Sequence, residues 1–360
     1  MIFTGDIAAP EVLHSNQLAA VFNKYPSIFK NTTLICNFEG LLYEGERLQL
    51  NKPVLYNHPS VLKTLTERGK VVAGLANNHI LDLPSSYDRT KEALTTYGID
   101  FGGAGRNMTE ASQPICFVDD GREIILYNAC WDFLLYHQKN PSNGIYISEI
   151  KESKLLKSIT TSRKEKPEVA IIVFLHWSFD LETLPFPMYR QFAKKLIDEG
   201  ANIIIGSHSH CVQGGEKHKD GYIIYGLGNF FMPQKVFANG KVMYPEFSRT
   251  ELVFEWNSSS NQAICHWFEY QCENTNHILN HLGSEEFDNS KILKKFSPFT
   301  EMSEKEYLTY FKLNRRKKFL IPIYSDCTQT IRNSLKTLLL KQRAKFARIL
   351  AKFNIIKWQN

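Results

Sequence analysis

No stretch of this sequence approaches the roughly 18 consecutive apolar residues from which a membrane-crossing helix is read, so no such helix is expected. The opening residues, Met1-Ile2-Phe3-Thr4-Gly5-Asp6, have no basic segment leading into an apolar core, which argues against a secretory signal. The cysteines show no pairing pattern. The 7 are Cys36, Cys116, Cys130, Cys211, Cys265, Cys272 and Cys327, an odd number with no C-x-x-C spacing. Free thiols in a reducing cytosol are therefore expected. Internal repeats and low-complexity tracts are also lacking.

What is present is ordinary in bulk and uneven in distribution. The 360 residues, 43% hydrophobic and 22% charged, suit a globular catalytic domain with an appendage. Acidic residues are scarce in one region. Residues 312–360 hold 13 Lys and Arg against one acid, Asp326, a local charge of +12 in a chain of net +6, which leaves −6 on the remainder. An acidic body with a basic tail implies two regions with different work. Sequence-specific nucleic-acid binding is not expected.

Over residues 1–270, short β-branched runs alternate with helical patterns. Thr33–Asn37, Val71–Leu75, Ile124–Asn128, Val169–Leu175, Ile203–Ile205 and Tyr222–Leu227 read as buried strands. Ser60–Arg68, Asp88–Tyr97 and Pro187–Glu199 read as helices, so the class is α/β with a largely parallel sheet. Glu251–Trp256 and Ala263–Tyr270, joined by the polar Asn257–Gln262, predict a closing hairpin. Residues 271–327 read as a connector or partial lid, and 328–360 as a basic amphipathic helical tail. In the tail, Ile331, Leu335, Leu338, Phe346, Ile349, Phe353 and Ile356 fall near one face, with Trp358 beyond. Such a helix suits an anionic membrane surface, its own acidic body or an acidic partner, and the pattern does not choose among them.

The polar residues of interest follow strands: Asp6, Glu39, Asn77-Asn78-His79, His176, and His208 with His210. Ligands bind at the carboxyl ends of strands in α/β sheets. Imidazole and carboxylate donors together suit Mn, Fe, Zn or related divalent metals. Each motif also has a plain structural explanation: a turn at Gly5-Asp6, a cap at Asn77, an aromatic pair at His176-Trp177. Their common placement favours a shared site.

These segments resemble the bacterial capsule-synthesis CapA (poly-γ-glutamate synthesis) family, itself similar to calcineurin-like metallophosphoesterases. The matching motifs are Gly5-Asp6, Asn37-Phe38-Glu39-Gly40, Ala76 to Asp82, Tyr97-Gly98-Ile99 with Gly103-Ala104-Gly105, His176-Trp177 through Pro185, Gly206 to His210, and Tyr225 to Phe230. The resemblance implies a four-layer αββα sandwich with two divalent metal ions. Asp6, Glu39 and His210 would serve the first, and Glu39, Asn78, His176 and His208 the second. It further implies His79 as a catalytic acid facing substrate, Asp82 orienting it, and Asn229 near the rim. Lys52 and Trp177 are candidate substrate contacts. Ala8 stands where phosphoesterases commonly carry a His, so the first metal site is expected to be weak.

The expected activity is metal-dependent hydrolysis of phosphate esters in capsule or surface-polymer synthesis, on a phosphorylated or polymeric anionic substrate. A non-catalytic accessory subunit of a polymer synthase, and an amide hydrolase or ligase acting on a polyglutamate-like chain, are the alternatives. The expected location is cytoplasmic, with the tail able to hold the protein at the inner face of the cell membrane.

Overall fold

A computed structural model describes residues 1–50, 52–135, 144–317 and 321–352, with side chains described as far as residue 346. The sequence-predicted alternation resolves into two large sheets, with two short two-stranded ones beside them. In the first, β1 (Ile2–Ile7), β2 (Leu34–Phe38), β3 (Val71–Gly74) and β4 (Asp100–Gly102) run parallel. The second is built on β6 (Arg122–Cys130), β7 (Ala170–His176), β8 (Ile203–Ser207) and β10 (Gly221–Ile224), also parallel. It is flanked by the antiparallel β5 (Ile115–Asp119) and β9 (Gly215–His218).

The predicted hairpin forms as β11 (Thr250–Asn257) and β12 (Gln262–Glu273), and it joins the first sheet through an antiparallel pairing of β11 with β1. The first sheet is thus mixed. Its order is β13-β12-β11-β1-β2-β3-β4, and that of the second is β9-β10-β8-β7-β6-β5. The edge strand β13 (Asn276–Glu286) corrects the expectation of a connector across 271–327. Its alternating buried and exposed residues are half-polar, as an edge strand's are, which hid the strand in the sequence.

Side-chain alternation along the strands sets the layers. One face of the first sheet (Ile2, Cys36, Ala73) packs on α1 (Val12–Lys24), α2 (Ser60–Thr66) and α3 (Tyr87–Thr96) through Leu18, Phe22, Val61, Leu65 and Leu94. The opposite face (Phe3, Ile35, Val72) meets Leu126, Ile172, Phe174 and Ile205 of the second sheet. The outer face of that sheet (Ile125, Val173, Ile204) packs on α4 (Glu152–Glu165), α5 (Pro187–Asp198) and α6 (Glu304–Asn314). Helix, sheet, sheet and helix follow in order, the expected four-layer αββα sandwich.

The tail contains α7 (Thr330–Lys352). Phe353, Ile356, Lys357 and Trp358 lie outside the described residues, as do the side chains of Arg348 and Ile349. Among the described residues, no helix is long and apolar enough to cross a membrane.

Candidate metal centre

Two local devices aim side chains at the rim where the sheets meet. The β1–β2 register shifts between Thr4 and Asp6, making Gly5 the extra residue of a bulge. A bulge re-aims the side chain that follows it. Only glycine fits here, because a Cβ on residue 5 would stand 1.9 Å from the Gly228 carbonyl oxygen. At the end of β8, His208 (φ 83°) and His210 (φ 52°) both take left-handed backbone. Such conformations cost about 1–3 kcal/mol each in a non-glycine residue and cluster at functional sites.

Asp6, Glu39, His176, His208 and His210 are all buried, and they converge. The ligand atoms of Asp6, Glu39 and His176 lie within 4.8 Å of one another, and so do those of Asp180, His208 and His210. A contact of 3.2 Å between His210 Nδ1 and Asp6 Oδ2 bridges the groups. Asn78 joins through its Oδ1, 2.7 Å from His176 Nε2. The pairs that the resemblance groups together are also neighbours: His210 lies beside Asp6, and His176 lies beside Asn78, with its Nε2 3.9 Å from Glu39 Oε1 and its ring 4.7 Å from that of His208. The donors come from both sheets, with β1, β2 and β3 on one side and β7 and β8 on the other, rather than from one rim.

The hydrogen bonding leaves donor atoms exposed to the cluster. Glu39 Oε1 and His208 Nδ1 are buried without a hydrogen-bond partner, and buried Asp6 Oδ2 faces the His210 ring at 3.2 Å. His210 Nδ1 donates to Asn229 Oδ1 at 2.7 Å, which leaves Nε2 as the lone-pair atom. His208 Nε2 donates to Asp180 Oδ1 at 2.9 Å, which leaves the unpartnered Nδ1 in that role. Buried oxygen and imidazole atoms without partners are costly unless something positive meets them. This set fits borderline divalent cations of the Mn, Fe and Zn class.

Electrostatics agree with that fit. Burial, then the neighbouring Asp6, pushes the Glu39 carboxyl up to about 8. Burial, then the charges of His208, His210 and His79, holds His176 well below its ordinary value, so the ring is neutral and able to ligate. His210 is opposed by burial but raised to about 9 by its contacts with Asp6, Asp180 and Glu39. Burial also opposes the charged form of His79, yet Asp82 and Glu39 outweigh it and raise its pKa. Bound cations would reverse this pattern by stabilising the carboxylates and repelling the imidazolium protons.

His79 stands beside the cluster. Its Nδ1 donates to Asp82 Oδ2 at 2.6 Å, and its Nε2 lies 3.8 Å from Glu39 Oε1. Asn229 holds His210, as described. Two sequence expectations fare differently. Trp177 is 1% exposed, donates from Nε1 to the Tyr225 carbonyl at 2.9 Å and stacks on Tyr189 at 4.7 Å. It is a core residue on the helix side of the second sheet, with no surface left for a substrate. Lys52 is exposed, and none of the hydrogen bonds that knit the cluster involves it. Ala8 is fully buried against Val54, Tyr56 and Met232 and offers no ligand atom.

Several participants escaped the sequence reading. Asn37 Nδ2 donates to Asp6 Oδ1 at 2.7 Å and also to Glu39 Oε2, while its Oδ1 accepts from Asn77 Nδ2 at 3.2 Å. One amide thereby orients both carboxylates. Its signal was the i, i+2 spacing to Glu39, which places both on one side of an extended chain. Asp180 lies within the His176-to-Pro185 motif but was assigned no role from the sequence. Glu251 accepts from the Asn229 and Phe230 amides at 2.5 and 3.2 Å and so fixes the loop that carries Asn229. The Tyr244 ring lies 5.0 Å from His210. Neither has a local sequence signal, because both arrive from distant segments.

Comparison with known proteins places this arrangement. The chain is 26% identical to the capsule biosynthesis protein CapA of Bacillus anthracis over 65% of its own length and 60% of that protein's. It is 24% identical to the PGA biosynthesis protein CapA of Bacillus subtilis over 64% of its length and 63% of that protein's. It thus spans about three-fifths of each relative. Among solved structures, a putative 5'-nucleotidase from Staphylococcus aureus aligns at 10% identity over 85% of this chain and 56% of that one, with a TM-score of 0.38, too low to argue from. The family described as bacterial capsule synthesis protein PGA_cap matches residues 1–234, the segment that carries every candidate ligand, and the chain belongs to that family.

Proposed function

We propose that the chain is a divalent-metal-dependent hydrolase of phosphate esters that serves capsule or surface-polymer synthesis. One observation carries this reading: two adjoining ligand triads, Asp6–Glu39–His176 and Asp180–His208–His210, have His79 and its Asp82 partner beside them. Asp6, Glu39, Asn78, His176, His208, His210 and Asp180 would hold the ions. Bound divalent ions supply Lewis-acid activation of water and neutralise phosphoryl charge. The chain's own residues do the rest. Asp82 fixes the Nδ1 proton of His79, which turns Nε2 toward the cluster as the atom able to give a proton to a leaving oxygen. Asn37 and Asn229 hold Asp6, Glu39 and His210 in place. The anionic substrate would be drawn by the ions rather than by Lys52.

The test is metal analysis of the purified protein, followed by a hydrolysis screen that crosses Mn, Fe and Zn with phosphate mono- and diesters and a γ-linked polyglutamate. Metal-dependent release from an ester that is abolished in a His208→Ala variant supports the reading. Release of glutamate alone would replace it with amide hydrolysis. Buried Ala8, without a ligand atom, favours a second reading, a non-catalytic accessory subunit. Bound metal with no turnover on any substrate would select it.

A further inference from the structure

The C-terminal helix α7 is docked by its less apolar side. Among its described side chains, Asn333, Thr337 and Leu340 are the ones it buries. Thr337 Oγ1 meets the Tyr324 hydroxyl at 3.0 Å, and Asn333 Nδ2 lies 3.1 Å from Met188 Sδ. Lys336 Nζ donates to the Ile323 carbonyl at 2.6 Å, and Lys341 Nζ pairs with Asp132 at 2.9 Å. The opposite side carries Ile331, Leu335, Leu338, Leu339 and Phe346, whose exposures run from 51% to 79%. At helical spacing these five fall within an arc of about 100°. Exposed Arg332 and Arg343 border the arc on one side, and exposed Lys345 borders it on the other. The whole span Thr330–Lys352 contains no Asp or Glu.

We propose that this face of α7 is an anionic-lipid docking surface, lying in the plane of a membrane with its apolar stripe among the acyl chains and its basic borders at the headgroups. Charge selects the occupant. A second copy would set one acid-free basic helix against another, and like charges across an interface repel. A lipid surface bearing negative headgroups matches both the stripe and its borders. The side that holds α7 to the body is distinct from this stripe, so docking on lipid needs no unfolding.

The experiment is vesicle co-sedimentation of the full chain, with phosphatidylcholine alone or mixed with phosphatidylglycerol, at low and high salt. Circular dichroism of each variant checks that the helix persists. Binding at least ~10-fold stronger to the mixed vesicles, weakened by salt, is expected. A Leu335→Glu/Leu339→Glu variant should lose binding to both vesicle types. An Arg332→Gln/Lys345→Gln variant should lose the preference for anionic lipid. Equal recovery with neutral and anionic vesicles overturns the proposal. So does a concentration-dependent dimer that the leucine variant abolishes while lipid binding is absent.

Discussion

Oδ2 of Asp82 accepts a hydrogen bond from His79 Nδ1 at 2.6 Å and another from the Leu55 amide at 3.0 Å. One carboxylate oxygen thus ties the histidine to the loop beside it. If His79 supplies a proton in turnover, His79→Ala should cut kcat by about 10²-fold or more while metal content stays near that of the parent. Asp82→Asn should give a smaller loss, since the ring remains but its tautomer and direction are no longer enforced. Single-turnover kinetics paired with elemental analysis checks both.

Removal of a ligand should behave differently. His176→Ala and His208→Ala should lose bound metal and activity together, and excess metal should restore part of the activity. Calorimetric titration of the metal-stripped protein would measure the change, expected at about 10-fold or more in affinity. Retention of full metal content by both variants would remove them from the centre.

Asn37 offers a sharper test of the geometry. Asn37→Ala leaves the Asp6 and Glu39 carboxylates without the amide that orients them both. Metal affinity should fall by about 10–100-fold with the fold preserved, because the residue positions ligands rather than binding as one. Thermal melts with and without added metal separate weakened binding from general instability.

Acid should destabilise the chain through two buried histidines outside the candidate centre, His14 and His277. His14, lowered to about 3 by burial and then by His277, packs its ring 5.4 Å from His277, itself lowered to about 4 by burial. Both sit below the ordinary value of 6.5, so the unfolded chain binds more protons as the pH falls. The neutral rings' contribution is full above 6.5 and is lost as the pH drops toward 4. Each contributes a slope of about 1.4 kcal/mol per pH unit in that window. Urea unfolding across the range should show the slope, and His14→Gln should reduce it by about one proton's worth.

A buried ion pair braces the second sheet. Arg190 donates from Nε and Nη2 to Glu216 at 2.7 and 2.9 Å, and Tyr225 donates its hydroxyl proton to the same carboxylate at 2.6 Å. Arg190→Met should destabilise by about 3 kcal/mol, the low end for a broken buried pair, because Lys194 Nζ, 3.4 Å from Glu216, still offsets part of its charge. Adding Glu216→Gln should recover more than half of that in chemical denaturation.

The central strands of both sheets were legible because their cores are β-branched runs, as in Ile171-Ile172-Val173 and Ile203-Ile204-Ile205, whereas the outer strands β4, β5 and β9 were not read. The histidines of the candidate centre stood out in the sequence because each follows such a run. Edge strand β13 was not, since half of its residues face water and carry polar side chains. Trp177 was misassigned because a His-Trp pair looks alike whether the indole faces a substrate or a core. Here Gly206 decides it, leaving room for the indole where a Cβ would stand 2.4 Å from Nε1. Asn37, Asp180 and Glu251 acquire their roles only when separate segments meet, and a linear pattern does not carry that information. The tail's helix and its apolar face were both readable, but which face would dock was not.

The donor atoms are divided between facing sheets, with Asp6 and Glu39 on one and His176, His208 and His210 on the other. No single sheet can therefore assemble the candidate centre during folding, and a cation held by both would act as a fastener across the sandwich. Ligand bound only to the folded chain adds its binding energy to stability, about 2.7 kcal/mol at a concentration one hundred times its Kd. Metal supply would then set how long the two halves stay together as well as whether the chain is active, and starvation for metal would shorten the protein's lifetime in the cell.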